Sequence, residues 1–170
     1  MERSCRQLLR DFEERLVQNP LLGASLLWEF TRKYETHGNV AQGASLLVLI
    51  PVLPLLLHRA SAEKLRGMQF DSGLAKLLIE FPTIRFDLQR RIAAFSALSL
   101  SSLNLACAAG LLRRMPLVAA PVFMTMATKL PPQVIAKGTP AVMKLAARRL
   151  GAFFRDETLF QIEAKLGIIL

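Results

Sequence analysis

Residues 92–112 form a run of 21 consecutive positions without a charge, closed at each end by an arginine pair, Arg90-Arg91 and Arg113-Arg114. As one helix such a run is about 30 Å long, the thickness of a bilayer's hydrocarbon core. It is therefore either a membrane span or the apolar wall of a folded core. The polar residues inside it favour the core. Ser96, Ser99, Ser101, Ser102 and Asn104 fall in mid-run, where hydrocarbon tolerates them least. Arginine pairs at both ends also supply no positive-inside asymmetry. A small membrane protein is kept as the lesser alternative.

The run sits inside a longer stretch, residues 88–155, with ten basic residues and no acidic one. The whole chain carries a formal net charge of +9, so the remainder is close to neutral. A basic chain of this kind suits nucleic acid, anionic lipid or an acidic protein, and charge alone does not choose among them. Hydrophobic residues make up 52% of the chain but aromatics only 7%. That balance points to helices, and to apolar surface that a partner covers. Cys5 and Cys107 are too few for a structural zinc site and are expected to be reduced and buried. No signal peptide is expected at the N-terminus, and the chain is expected to be cytoplasmic.

The helical period recurs along the chain. Ser4-Cys5-Arg6-Gln7 has the form of a capping box, followed by Cys5, Leu8, Leu9, Phe12 and Leu16 at helical spacing. Asn19-Pro20 then pairs an N-cap with proline at the first helical position. Leu22, Leu26, Phe30 and Tyr34 line one face of that second helix, with Glu29 and Lys33 as a surface pair. His37-Gly38-Asn39 stops it. Residues 43–57 predict a buried, kinked helix through Pro51 and Pro54 that ends at His58-Arg59. Residues 63–70 read as a polar connection. A short helix follows from Asp71 or Ser72 through Leu74, Leu77 and Leu78. From Ile84 the pattern is helical to about Leu98. The serines at 99, 101 and 102 predict a break, with a further helix over 103–113. Two β-like runs, 117–119 and 122–126, predict a hairpin or an extended arm. Gly138-Thr139-Pro140 starts a helix over 142–154, 155–158 is a turn, and 159–166 is a last short helix before a docked apolar tail.

The expected fold is mainly α: one helical domain over 1–170 with a short β-hairpin. It divides into N-terminal helices over 1–66 and a winged-helix-like part with C-terminal helices over 67–170. In a winged helix the third helix reads DNA. Here that helix, 103–113, is mostly Leu, Ala, Cys and Gly and is not expected to read base edges. Any contact with DNA is therefore expected at the phosphates, without sequence preference. No G-x-x-x-x-G-K, G-x-S-x-G or H-E-x-x-H motif is present. His37 and His58 stand alone. No catalysis, cofactor or metal is expected.

The basic residues expected to meet a partner or DNA are Arg113, Arg114, Lys137, Lys144, Arg148, Arg149 and Arg155. Advancing about 100° per residue from Val142, Leu145, Ala146, Leu150 and Phe153 form the apolar face of the helix over 142–154. Lys144, Arg148 and Arg155 fall opposite, on a solvated face. Arg149 falls inside the apolar stripe. It must therefore pair with an acidic residue of the flanking segments or anchor a partner, since a lone buried charge is too costly.

One resemblance runs along nearly the whole chain. Its residues are Asn19-Pro20-Leu21-Leu22 leading into Leu26-Leu27-Trp28-Glu29-Phe30 and Tyr34, then the leucine-rich run with Pro54 and His58. Next come Ser72-Gly73-Leu74, Leu77, Pro82 and Arg90-Arg91, then Gly110-Leu111-Leu112, and last the helix with Arg148, Leu150, Phe153 and Phe154. This order of features resembles the middle component of bacterial three-component ABC systems, including the small subunit of Lamassu-type defence complexes. The resemblance implies a non-catalytic, cytoplasmic subunit between an SMC-like ATPase and an effector, commonly a nuclease, acting against phage or plasmids. A stand-alone winged-helix DNA-binding regulator is the alternative.

Overall fold

The computed structural model describes residues 19–35, 43–116, 120–130 and 139–170. In chain order its elements are α1 (Pro20–Glu35), β1 (Ala44–Ser45), α2 (Leu46–Leu49), α3 (Val52–Leu56), α4 (Arg59–Gly67) and α5 (Gly73–Glu80). A 3-10 turn (Pro82–Arg85) leads to α6 (Leu88–Ala108), β2 (Leu112–Met115), β3 (Val122–Thr125), α7 (Thr139–Arg155) and α8 (Leu159–Leu166). The fold is mainly helical with a small antiparallel sheet, as expected.

Helix α1 starts where Asn19-Pro20 predicts. The Asn19 side-chain oxygen accepts from the Leu21 N–H at 2.9 Å, and its carbonyl accepts from the Gly23 N–H at 3.1 Å. Gly23 to Thr31 are then buried without interruption. A helix covered on all sides is a central helix rather than a one-faced surface helix. Helices α7 and α6 supply most of its cover. Both approaches depend on a glycine. A Cβ on Gly23 would lie 2.1 Å from the Ser102 Oγ of α6, and one on Gly151 would lie 2.5 Å from the Phe30 carbonyl oxygen of α1. The core extends from α1 through Leu53, Leu65, Leu77 and Leu103 to Phe153 and Phe154. Phe154 meets Phe30 edge-on at 5.6 Å.

The serine break does not form: α6 runs unbroken through Ser99, Ser101 and Ser102. Ser96 and Ser101 donate to carbonyls three residues back, at 2.9 and 3.0 Å, within the helix. Ser99 and Ser102 are buried and are small enough for α1 to approach. Tertiary packing overrides their local preference. The Ser102 hydroxyl has no hydrogen-bond partner among the described residues. Ser102→Ala is therefore expected to be neutral or to stabilise by up to about 1 kcal/mol in urea unfolding. A loss above that would reveal a hidden partner. The start of α6 is also later than the pattern from Ile84 predicts. Asp87, at φ 55°, separates the 3-10 turn from the helix. The Arg91 guanidinium holds that corner by donating to the carbonyls of Pro54, Ile84 and Phe86 at 3.0, 2.8 and 3.1 Å. By length and composition α6 is able to cross a membrane. Here it buries Leu88, Ile92, Ser99, Ser102, Leu103 and Ala106.

Three further expectations are corrected. Residues 63–70 are largely helix α4 rather than a connection, since Ala62 and Leu65 reach the core from a polar segment. Helix α4 leaves the α2–α3 segment at 100°, so His58 stands at the N-cap of α4 and not at the end of a helix. Its Nδ1 is 2.7 Å from the Ser61 hydroxyl. Burial holds its pKa below the ordinary histidine value, with Arg91 and Lys64 adding to the effect. The hairpin, finally, is β2–β3 and begins at Leu112; residues 117–119 lie outside the described ones. Gly110, at φ 68°, turns the chain out of α6. Arg113 and Arg114 thus lie on a strand rather than at a helix end. The expected helix over 103–113 ends at Ala108 as part of α6, so the separate helices expected between 72 and 113 are α5 and α6 with a 3-10 turn between them.

The sheet has the order β1-β3-β2, with Ala44 opposite Phe123 and Leu112 opposite Thr125. It is tied to α1 through the Glu35 carboxylate, which accepts from the Thr125 N–H at 3.0 Å. Helix α8 matches its predicted range. Thr158 and Gln161 form a reciprocal capping box, and Gly167, at φ 67°, ends the helix. The tail docks through Ile168, which is buried, and through Gln89, which holds both backbone groups of Ile169. The expected N-terminal helix with Cys5, and the stop at 37–39, lie outside the described residues. Cys107 is a free thiol, half-buried, and burial raises its pKa.

Candidate partner-binding site

Where α1 and α7 lie side by side, residues 128–130 pass over their edge and leave an open cleft of about 410 Å³. Trp28, Glu29 and Arg32 of α1 line it, with Thr128, Lys129 and Leu130, and Ala141, Lys144 and Arg148 of α7. The Trp28 ring is buried. Its N–H donates to the Ala127 carbonyl at 3.1 Å, which fixes the 127–130 segment over the cleft.

Glu29 forms the floor. The expected surface pair with Lys33 does not occur, because Glu29 is buried and points toward α7. Its side chain is 4% exposed. The Arg148 guanidinium donates to both carboxylate oxygens, from Nε at 2.9 Å and from Nη2 at 3.0 Å. Arg32 adds a donor at 3.3 Å and lies over the Trp28 ring, 4.9 Å from its centre. The hydrogen bond to Glu29 raises the Arg148 pKa above the ordinary value, against the effect of burial. Burial lowers the Lys144 pKa; Glu29 opposes this shift and Arg148 adds to it. Four cationic side chains thus line a cleft whose one carboxylate is already bonded on both oxygens.

Arg148 was expected on a solvated face, and that expectation is corrected. Met143, Ala147 and Phe154 are buried along with Ala146, Leu150 and Phe153, because α7 packs on α4 as well as α1. The buried arc is wider than the one drawn from Val142. Arg148 and Arg149 stand at its two edges. Arg149 was expected to find an acidic partner or to anchor another chain. Among the described residues its Nε donates to the Met68 carbonyl, and its guanidinium lies over the Phe70 ring at 5.0 Å. Lys33 lies over the same ring at 5.0 Å. A carbonyl and a ring stand where a carboxylate was expected, and burial lowers the Arg149 pKa, with Arg66 adding to it.

The remaining predicted contacts are dispersed. Arg113 and Arg114 are exposed on β2. Arg155 pairs with the adjacent Asp156 at 2.9 and 3.1 Å. Lys137 lies outside the described residues. The cleft brings together Lys144 and Arg148 from that set and adds Trp28, Glu29, Arg32 and Lys129. Sequence reasoning did not single out these four for a site. The clue available was a glutamate at a position of α1 flanked on both sides by apolar residues. Among the described residues, no three His, Cys, Asp or Glu side chains are placed to share a metal ion.

A central helix, a small sheet and a cleft lined by Arg32, Lys129, Lys144 and Arg148 make up the scaffold. The chain belongs to the family described as ABC-three component (ABC-3C) system Middle Component 3, MC3, whose model matches residues 8–170. It is thus a middle component, as the resemblance implied. Neither a curated protein nor a solved structure is significantly similar to it.

Proposed function

We propose that this chain is a non-catalytic subunit that links an SMC-like, ABC-type ATPase to an effector in a three-component complex directed against phage or plasmids. The family match over residues 8–170 carries the reading, since a middle component of a multi-component system works through protein partners. The surface supports it. Leu21, Phe70, Ile79, Phe86, Leu100, Met126, Phe160 and Ile169 are all exposed, an apolar excess that suits cover by other chains. Beyond the exposed Arg90 of its first turn, the exposed face of α6 includes Ala93, Ala94, Ala97, Leu100, Ser101 and Asn104 and offers phosphates no charge. Contact with DNA, where it occurs, would fall to the exposed basic residues and would be independent of sequence. The complex would act in the cytoplasm.

Tagged chain co-expressed with the other two components of its system is expected to purify as a complex of defined mass by light scattering. Expressed alone, it is expected to self-associate. A stable, monodisperse monomer that ignores both components, or one that protects a single DNA sequence at high salt, would overturn the reading in favour of a stand-alone regulator.

A further inference from the structure

We infer that the cleft between α1, α7 and residues 128–130 receives an acidic, partly apolar segment of a partner protein. The inference rests on the reading of the chain as a subunit. Glu29 spends both oxygens on Arg148 and one also on Arg32, so it orients the Arg148 guanidinium and leaves its outer edge toward the opening. Arg148 gives Glu29 its Nε and Nη2 edge. Its side chain is 42% exposed, and Nη1 together with the second N–H of Nη2 remains for a second carboxylate. A guanidinium already held in place loses little freedom on forming a forked bond to that carboxylate. Lys129 is exposed at the rim, and Lys144 stands one turn before Arg148 on α7. A volume of about 410 Å³ falls in the range of sites that enclose a few side chains, roughly 300–1,000 Å³.

The lining also selects between kinds of anion. Leu130, Ala141 and the edge of Trp28 interrupt the charge. A nucleic-acid backbone presents evenly spaced phosphates and asks for a continuous basic track. An acidic segment with interspersed leucines matches a cleft that is cationic in one part and apolar in another. Arg113 and Arg114, on β2, are not among the cleft's described lining residues.

The test is fluorescence anisotropy with the full chain and three labelled probes: a peptide of alternating Glu and Leu, the same peptide with Gln for Glu, and a DNA duplex of equal charge. The acidic peptide is expected to bind. Lys129→Glu with Lys144→Glu should weaken it about tenfold or more, with an unchanged melting temperature. The Gln peptide should not bind, and the duplex should bind no tighter than the acidic peptide. Equal affinity in wild type and variant overturns the proposal, as does equal binding of the Gln peptide. A duplex that binds about tenfold tighter and loses this in the variant would make the cleft a nucleic-acid site. Should the double variant fail to fold, Lys129→Ala decides: weakening of about threefold is expected, and no change overturns. Failure of the wild type to co-purify with the other components would remove the subunit reading while leaving the peptide result in place.

Discussion

Gly151→Ala is expected to destabilise the protein by about 2–3 kcal/mol. The added carbon would meet the Phe30 carbonyl oxygen at 2.5 Å, with the Lys33 Cβ and the Tyr34 nitrogen at 3.2 Å. Two of these three atoms are helix backbone and do not swing aside as a side-chain tip would. Relief requires α7 to move off α1, and that move would open contacts such as Phe30 with Phe154. The control is Gly67→Ala. Gly67 lies in α4 with nothing within 4 Å of its Cβ direction, so alanine there is expected to be neutral or to stabilise by about 0.5–1 kcal/mol. Urea unfolding of both variants is the measurement. If the two behave alike, α1 and α7 are farther apart than described.

Arg148→Met should cost more than Glu29→Leu, although both remove the same ion pair. Losing Arg148 leaves a buried carboxylate with only the longer bond from Arg32, for about 2–3 kcal/mol. Losing Glu29 leaves a guanidinium that is 42% exposed and able to turn to water, for about 1 kcal/mol. The double variant, with leucine against methionine, should regain most of the Arg148→Met loss, because an apolar pair of similar volume is often as stable as a buried ion pair. The three unfolding curves, with that of the wild type, form a cycle. Simple additivity would mean that Arg148 and Glu29 do not interact. The reverse order of the single variants would mean that Glu29 is hydrated.

What could be read from the chain and what could not follows from the range of the interactions involved. The start of α1 is local: Asn19 and Pro20 act on the N–H groups just after them. Helix α8 is local at both ends, through Thr158, Gln161 and Gly167. The continuity of α6 is not, because it depends on Gly23 meeting Ser102. Nothing near Ser102 in sequence shows that. Helix α4 was hidden for the opposite reason. It is polar in sequence, and a few residues such as Ala62 and Leu65 are enough to seat it once the rest of the core exists. The candidate site was the least readable part. Lys33, four residues from Glu29, is the near partner that helical spacing proposes. Arg148, 119 residues away, is the one that the fold supplies.

The burial of α1 also sets a timetable. This helix leaves the ribosome well before α7, its largest cover. Until α7 emerges, Leu26, Leu27 and Phe30 are therefore exposed or only partly covered, and closing the core waits on contacts between distant parts of the chain. Nascent chains in that condition are prone to aggregate or to bind chaperones. A co-translating partner that covered α1 early would have to yield its place to residues 139–155, so assembly with other chains is best suited to surfaces that α7 does not claim.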